Sequence, residues 1–191
     1  MEDSPRKAVF VDRDGTLIVE KGFLSDPDGV EVIPGAIEAV KKLNDEGFAV
    51  IVVSNQSGVA RGYFGEDAVV KVNDRVKSLF AEGGAKIDAL YYCPHYADGS
   101  VEEYAIDCPC RKPGTGMVEK AVRELNVVPA FVIGDRKSDV ELGKNLGVPA
   151  VLVLSGYGRE QPDEVVKMAD FVAKDISSAV DWILNSLKTE R

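Results

Sequence analysis

Two acidic pairs, each following a short apolar run, are the residues of this sequence best suited to chemistry. Asp12 and Asp14 flank Arg13 directly after the run AVFV, and Asp135 and Asp139 follow the run FVIG. Carboxylates that converge raise one another's pKa values unless a cation compensates. Hard oxygen ligands with room for water suit Mg²⁺. The two pairs therefore predict a magnesium site where the fold brings them together.

A second group of polar residues is suited to holding phosphate oxygens. The stretch Ser54-Asn55-Gln56-Ser57 offers a hydroxyl, an amide and the backbone N–H groups of a turn. Arg111 and Lys112 precede a helical pattern, and a lysine suits a transferring phosphoryl group as a point charge. Carboxylates, Mg²⁺, a hydroxyl and a lysine together predict phosphoryl transfer. One carboxylate would attack phosphorus, and a second would protonate the leaving oxygen and then activate water.

Each of these clusters also has a simpler interpretation. The pattern Asp-x-Asp-Gly is common in surface turns, and Asp135 and Asp139 could cap a helix and occupy its first turn. Ser54 and Asn55 could belong to an ordinary loop. These interpretations do not explain why all of the clusters follow the strand-like runs of the chain.

All three cysteines and the only histidine lie close together in the sequence, at Cys93, His95, Cys108 and Cys110. Three thiolates and one imidazole make a closed tetrahedral zinc set of the structural kind. Buried free cysteines beside a surface histidine, or a redox pair at Cys108 and Cys110, are the alternatives. Zinc would hold the loop 93–110 at both ends and place the following basic pair, without taking part in the chemistry.

Strand-like and helical patterns alternate along the chain. Short apolar runs predict strands at residues 8–12, 48–54, 87–93, 131–135, 150–154 and 170–172. Apolar spacings of three and four predict helices at residues 35–46, 66–81, 117–125, 138–146 and 176–187. This alternation predicts an α/β fold with a doubly wound, mostly parallel, Rossmann-like sheet. Ligands of such sheets lie at the carboxyl ends of the strands, where the polar clusters are.

Length and charge limit the function further. With 191 residues the chain is expected to form a single domain, residues 1–191. A formal net charge of -9 disfavours a nucleic-acid partner. Apolar runs such as residues 48–53 and 148–154 are too short to span a membrane, and residues 1–7 do not resemble a secretory signal. We therefore expect a cytoplasmic protein, and a monomer.

Four motifs carry a family resemblance. VFVDRDGTL, VVSNQSG, RKP and VIGDRKSD resemble, in order, the four motifs of the haloacid-dehalogenase superfamily of phosphatases. The resemblance implies that Asp12 is the nucleophile and Asp14 the general acid and base. It implies that Ser54 and Lys112 stabilise the phosphoryl group. Mg²⁺ would be held by Asp12, Asp135 and the backbone carbonyl of Asp14.

A narrower resemblance concerns the substrate. The zinc loop C-P-H…C-x-C-R-K-P together with SNQSGVARGYF is similar to the D-glycero-D-manno-heptose 1,7-bisphosphate 7-phosphatase family. It implies a small phosphorylated sugar as substrate and a product that enters nucleotide-activated heptose biosynthesis. Histidinol-phosphate phosphatases share the zinc loop but match the second motif less well. The segments between the motifs are too short for a large cap domain, so loops must choose the substrate.

The same resemblance implies a set of substrate contacts. Arg111 is expected to bind the second phosphate, and Arg61 could add charge to the entrance. The predicted contacts are Asp12, Arg13, Asp14, Glu20, Lys21, Gly22, Phe23, Ser54, Asn55, Gln56, Ser57, Arg111, Lys112 and Arg136.

Two other classes of protein remain as alternatives. A phospho-accepting receiver domain also combines an acidic cluster, Mg²⁺ and a lysine, but it stores the phosphoryl group, whereas Asp14 is placed to hydrolyse it. A non-catalytic zinc interaction module would use the Cys and His residues alone. It leaves Asp12, Asp14 and Asp135 unexplained.

Overall fold

A computed structural model describes residues 4–189 and contains one six-stranded sheet in which every neighbouring pair of strands is parallel. The strand order is β3-β2-β1-β4-β5-β6. The strands are β1 (Arg6–Val11), β2 (Ala49–Asn55), β3 (Ala89–Cys93), β4 (Val127–Gly134), β5 (Ala150–Val153) and β6 (Phe171–Ala173). The predicted doubly wound parallel sheet is confirmed.

Helices cover both faces of this sheet. They are α1 (Ala36–Asp45), α2 (Glu66–Glu82), α3 (Gly116–Leu125), α4 (Lys137–Leu146), α5 (Asp163–Met168) and α6 (Ile176–Thr189). Val9 and Val11 of β1 pack in one apolar cluster with α1 and α6, whereas Ala8 and Phe10 pack in a second cluster with α3 and α4. Side chains of a strand alternate between faces, so burial on both sides explains the continuous apolar runs.

Two features of the fold differ from the prediction. β4 begins at Val127, so the predicted start at Phe131 is wrong. The early part contains Pro129, which lacks an N–H and pairs opposite Ala8, and a register shift follows it before Phe131 pairs with Val9. The helix α5 was not predicted, because it has only six residues and a single fully buried one, Val165.

β1 lies between β2 and β4. The chain therefore adds β2 and β3 on one side of β1 and β4, β5 and β6 on the other side. Such a switch point opens a crevice at the carboxyl ends of the strands. The segment between β1 and α1, residues 12–35, contains only a short 3-10 helix, Pro27–Gly29, and isolated bridges. Nothing larger than these loops covers the crevice within residues 4–189. Among the same residues, no helix combines the length and apolar character that a membrane crossing requires.

Candidate active site

A cleft of about 410 Å³ lies at the carboxyl ends of β1, β2 and β4. It collects nearly all predicted contacts, which are far apart in the sequence. Its walls are Asp12, Arg13, Asp14, Glu20, Gly22, Phe23, Leu24, Ser54, Asn55, Gln56, Ser57, Gly58, Arg61, Tyr96, Arg111, Lys112, Arg136, Ser138 and Tyr157. Lys21 is not part of this wall, and its ammonium pairs with Glu31 at 3.1 Å. The structure therefore does not place Lys21 with the other predicted substrate contacts.

Lys112 and Asp12 line the cleft, and Lys112 also pairs with the buried carboxylate of Asp139. The Lys112 Nζ lies 2.6 Å from Asp12 Oδ1 and 2.6 Å from Asp139 Oδ1. It also donates to the backbone carbonyl of Val53 at 2.7 Å. The two neighbouring carboxylates outweigh the effect of burial and raise the pKa of Lys112, so the ammonium stays charged. Asp12 itself is held at the end of β1 by its N–H, which donates to Ile133 O at 2.9 Å.

Burial and mutual repulsion disfavour negative charge on two of these acids. Burial raises the pKa of Asp12 to about 7, with Asp139 and Asp14 adding to the effect and Lys112 opposing it. Burial likewise raises the pKa of Asp135 to about 8, and nearby Asp12 and Asp139 add to it. One lysine does not balance three carboxylates. The cluster calls for a further cation.

The donor set fits Mg²⁺. Carboxylate oxygens of Asp12, Asp135 and Asp139 lie within 4.8 Å of one another. Asp135 is fully buried, and its Oδ1 has no hydrogen-bond partner, whereas its Oδ2 accepts from the N–H of Tyr157 at 2.7 Å. A buried carboxylate oxygen without a donor is a suitable ligand for a hard cation. Both oxygens of Asp139 are engaged, Oδ1 by Lys112 at 2.6 Å and Oδ2 by the N–H of Arg136 at 3.0 Å, whereas Lys112 engages only Oδ1 of Asp12. Asp12 and Asp135 are therefore the stronger candidates.

Two glycines allow the loops to approach Asp135. A Cβ on Gly15 or Gly156 would collide with Asp135 Oδ2. Both glycines also have positive φ, at 81° and 54°, a region that suits glycine. The Gly of the motif Asp-Arg-Asp-Gly is therefore required by this close packing as well as by the turn.

Asp14 is held on both of its oxygens. Arg13 Nε donates to Asp14 Oδ2 at 3.0 Å, and Arg13 Nη2 donates to Asp14 Oδ1 at 3.1 Å. Gln56 Nε2 also donates to Asp14 Oδ2 at 2.9 Å. The Arg13 side chain is buried, and its guanidinium is engaged by the protein, although the sequence places it among the substrate contacts.

Asn55 has a comparable structural role. Its Oδ1 accepts from the N–H of Lys112 at 2.9 Å, and its Nδ2 donates to the carbonyl of Lys112 at 3.1 Å. The amide of Asn55 therefore fixes the backbone of Lys112. Ser54, one residue earlier, accepts at Oγ from Gln56 Nε2 at 2.6 Å and faces the cleft.

Three guanidinium groups with aromatic partners surround the mouth of the cleft. Arg61 Cζ lies 4.3 Å and Arg111 Cζ lies 5.0 Å from the ring centroid of Tyr96. Arg136 Cζ lies 4.1 Å from the ring of Tyr157. Arg136 also donates to Glu20 at 3.2 Å. Such cation–π contacts hold arginines in place while leaving N–H groups free to bind anions.

The Cys and His residues converge beside this mouth. Ligand atoms of Cys93, His95, Cys108 and Cys110 lie within 4.8 Å of one another, and Cys110 Sγ is 2.6 Å from Cys93 Sγ and 3.5 Å from His95 Nδ1. All three cysteines are free thiols. Burial raises the pKa of Cys93 and of Cys110, and the thiols of Cys108 and Cys93 raise the pKa of Cys110 further. Three sulfurs and one imidazole nitrogen at one point fit a four-coordinate zinc ion.

This cluster is connected to the cleft through Arg111. The Arg111 Nη1 donates to the carbonyl of His95 at 3.1 Å. The loop also contacts the segment after β2, where Ser100 Oγ donates to Arg61 O at 2.8 Å. Tyr96, between the two arginines, belongs to the same loop. The loop 93–110 therefore supports both Arg61 and Arg111.

Sequence reasoning missed several residues of the site. Asp139 was noted as an acid but not as the partner of Lys112. Tyr96 and Tyr157 lie in loops, and no motif indicates them. Asn73 of α2 accepts from Arg13. The sequence does contain an indication of this residue, because Asn73 is a polar residue on the apolar face formed by Val69, Val72 and Val76.

Known proteins resemble this chain over most of its length. A family described as haloacid dehalogenase-like hydrolase matches residues 9–72, and one described as HAD-hydrolase-like matches residues 109–179. The D-glycero-beta-D-manno-heptose-1,7-bisphosphate 7-phosphatase of Pasteurella multocida (strain Pm70) is 38% identical over 174 residues, covering 90% of this chain and 94% of that protein. The protein of the same name from Escherichia coli (strain K12) is 37% identical over 184 residues, covering 94% and 89%.

A solved structure of a protein from the same family has a similar fold. The crystal structure of a D,D-heptose 1.7-bisphosphate phosphatase from B. bronchiseptica, complexed with magnesium and phosphate, matches with a TM-score of 0.79 and 28% identity, covering 94% of this chain and 99% of that chain. Identity above 30% over nearly the whole length, with the same fold, establishes the relationship. The chain therefore belongs to the haloacid dehalogenase-like hydrolases, in the family of the D-glycero-D-manno-heptose-1,7-bisphosphate 7-phosphatases.

Proposed function

We propose that this protein is a Mg²⁺-dependent phosphatase that removes the 7-phosphate of D-glycero-D-manno-heptose 1,7-bisphosphate. The observation that carries the proposal is the charged cluster that reaches the cleft through Asp12 and Lys112. There Lys112 joins Asp12 and Asp139 beside a buried, unpartnered oxygen of Asp135. Asp14 lies in the wall of the same cleft, where it would serve as the general acid and base. The names of the relatives support this sugar bisphosphate as the substrate.

The reaction would proceed in two balanced steps. In the first, a carboxylate oxygen of Asp12 attacks phosphorus, the bond from phosphorus to the sugar oxygen breaks, and the carboxyl of Asp14 donates its proton to that oxygen. In the second, Asp14 takes a proton from water, the water oxygen attacks phosphorus, and the bond to Asp12 breaks. Inorganic phosphate leaves, and both carboxyl groups return to their starting states.

Lys112 and Ser54 would contact the transferring group. The Lys112 ammonium is fixed by three oxygens and is buried, so it offers positive charge to the phosphoryl oxygens without reorganisation. Mg²⁺ held by Asp12, Asp135 and the Asp14 carbonyl would neutralise the phosphate and the acids around it. The unpartnered oxygen of Asp135 supports this assignment.

The arginines at the mouth would bind the second phosphate. Arg111 and Arg61 both face the cleft and share the ring of Tyr96. Burial is the main cause that lowers the pKa of Arg111, and the nearby charges of Arg61 and Arg136 lower it further. On a chain of net charge -9, a local basic mouth selects a small dianion over a polyanion.

Zinc at the Cys and His cluster would have a structural role. The cluster has four ligands and is closed, so no position is left for substrate. It would fix the loop that carries Tyr96 and precedes Arg111. We also propose that residues 1–191 act as one domain, because one sheet with its loops forms the whole cleft. We propose further that the protein works as a monomer in the cytoplasm without membrane or nucleic-acid partners, and its net charge of -9 supports the absence of a nucleic-acid partner.

The proposal is tested by phosphate release with Mg²⁺ from a panel of substrates. The panel holds both anomers of the heptose 1,7-bisphosphate, histidinol phosphate and fructose 1,6-bisphosphate. We expect strong selectivity for one heptose bisphosphate, and a reduced preference in Arg111→Gln. Selectivity for histidinol phosphate would keep the catalytic assignment and overturn the substrate. Lasting phosphorylation without turnover would favour a receiver, and no reaction with any compound would overturn the enzyme.

A further inference from the structure

A buried asparagine on α2 connects that helix to the acid at the centre of the cleft. Asn73 is 7% exposed and belongs to the apolar face of α2, with Val69, Val72 and Val76. An unpaired amide in such a place costs free energy, so its partner is informative. That partner is Arg13, whose Nη1 donates to Asn73 Oδ1 at 2.7 Å.

Arg13 is equally unusual. Its residue is 1% exposed, and a buried guanidinium is stable only when its donors are paired. Its Nε and Nη2 bond the two oxygens of Asp14, at 3.0 and 3.1 Å, and its Nη1 bonds Asn73. The three bonds fix the plane of the guanidinium, and the bidentate pair fixes the plane of the carboxylate.

We propose that Asn73 and Arg13 are positioning residues that hold the carboxyl group of Asp14 in the orientation needed for proton transfer. The inference rests on the proposed function, in which Asp14 is the acid and base. Asn73 is not part of the cleft wall, so it acts through Arg13. Gln56, in the loop after β2, donates from its Nε2 to Asp14 Oδ2 at 2.9 Å, and this oxygen also accepts from Arg13 Nε. The carboxyl group is thus set between α2 and the loop after β2.

The energetics favour a role beyond packing. A valine or leucine at position 73 would complete the apolar face of α2. Such a residue would be unfavourable only because it would leave a buried donor of Arg13 without an acceptor. Likewise, an apolar residue at position 13 would avoid a buried cation. Both polar residues are explained together by the orientation of Asp14.

The test uses two substitutions at one position. Asn73→Leu removes the acceptor and keeps the volume, whereas Asn73→Asp keeps an oxygen for Arg13. We expect Asn73→Leu to lower kcat on the sugar bisphosphate by ~10- to 100-fold with KM nearly unchanged. Asn73→Asp should recover most of this loss. Thermal unfolding of both variants shows whether the fold is intact.

A second measurement separates positioning from general damage. With p-nitrophenyl phosphate the leaving group needs little protonation, so transfer to Asp12 stays fast while attack by water still requires Asp14. Asn73→Leu should therefore release about one equivalent of p-nitrophenol in a burst and then turn over slowly. A merely destabilised enzyme would lose both phases in proportion.

Defined results overturn the inference. A folded Asn73→Leu protein with wild-type kcat and no burst contradicts it, as does an Asn73→Asp protein that is impaired as much as Asn73→Leu. If Asn73→Leu does not fold, Arg13→Lys is used instead. This substitution keeps the positive charge but removes the bidentate hydrogen bonds to Asp14, and it must show the same burst. Failure of the proposed function is distinguishable, because the wild-type protein would then release no phosphate, and this inference would fall with it.

Discussion

Two clusters of potential metal ligands, the carboxylates and the Cys and His residues, are supported by the fold in different ways. The carboxylates Asp12, Asp135 and Asp139 are buried, and they lie at the ends of β1 and β4 and in the first turn of α4. Of the cysteines and the histidine, only Cys93 belongs to a strand. The other three lie in the segment 94–115, which has no helix or strand. The sheet positions the carboxylate cluster, whereas the Cys and His cluster lies in a loop that depends on the cluster for its order.

This difference assigns different roles to the two metals. A site built on strand ends keeps its shape without an ion, so its ion serves chemistry. A site built on a loop gains its order from the ion. The two clusters meet at the pair Arg111 and Lys112, since Arg111 contacts His95 and Lys112 contacts Asp12. Damage to either cluster should reduce activity, but only damage to the loop cluster should reduce stability strongly.

The largest expected effect comes from Asp12→Asn. It removes the proposed nucleophile, so phosphate release should fall by at least about 1,000-fold. The melting temperature should be unchanged or higher, because the substitution removes a buried charge whose pKa burial raises to about 7. Phosphate assays and thermal unfolding measure the two effects. Asp74→Asn, on the exposed face of α2, is the control and should match wild type. Retention of one-tenth of the activity by Asp12→Asn would contradict the assignment.

Cys110→Ser should separate the two clusters most clearly. Loss of one thiolate should release zinc, lower the melting temperature by about 4–8 °C for a loss of ~2 kcal/mol, and reduce activity with it. Metal analysis, thermal unfolding and phosphate assays follow the three changes. A variant without zinc that keeps full activity and the wild-type melting temperature would refute the role of the loop.

Asn55→Ala tests the smaller connection between the loop after β2 and Lys112. It removes two hydrogen bonds to the Lys112 backbone, so we expect a loss of stability of about 1 kcal/mol per bond and a decrease in kcat of ~10-fold. Asn44→Ala is a matched control, because Asn44 bonds the N–H and carbonyl of Lys86 in the same way, away from the cleft. Equal kcat values for the two variants would show that Lys112 does not need this support.

The smallest effect concerns pH and Mg²⁺. Asp12 and Asp135 have folded-state pKa values of about 7 and about 8, above their ordinary value of 3.8, so the folded state binds more protons than the unfolded state. In metal-free protein this stabilisation is complete below pH 3.8 and is lost as the pH rises through about 7 to 8. Mg²⁺ binds the ionised carboxylates, so it should raise the melting temperature more at pH 8 than at pH 5.

The control for this measurement is Asp135→Asn, which should lose most of the Mg²⁺ effect at both pH values. Zinc should be kept in all samples, so that only the carboxylate cluster responds. An equal rise in melting temperature at both pH values in the wild-type protein would mean that the ion binds elsewhere.

The sequence predicted the strand ends better than it predicted the contacts among them. Asp12, Ser54 and Asp135 could be placed together because parallel strands end at one edge of a sheet, whatever their sequence separation. The pairing of Lys112 with Asp139 needs the geometry of α4, which no spacing encodes. The roles of such residues depend on side-chain directions rather than on residue type.

Arg13 and Asn55 show what a motif alone leaves open about side chains. Both line the cleft, and both were assigned to the substrate, yet their polar groups bond Asp14, Asn73 and the Lys112 backbone. Arg13 is buried and Asn55 is half-buried, so their polar groups are paired within the protein as well as being near the site. Sequence patterns record which residues are near a site and leave open what they bond.

The most direct measurement of the central claim is mass spectrometry of protein quenched in acid during turnover with Mg²⁺. Asp14→Asn should slow hydrolysis of the intermediate, so it is measured beside wild type. We expect one added phosphoryl group on the peptide that contains Asp12, present briefly in wild type and accumulating in Asp14→Asn. Release of phosphate with no phosphoryl group on Asp12, or with one on another residue, would contradict the assignment of Asp12 as nucleophile.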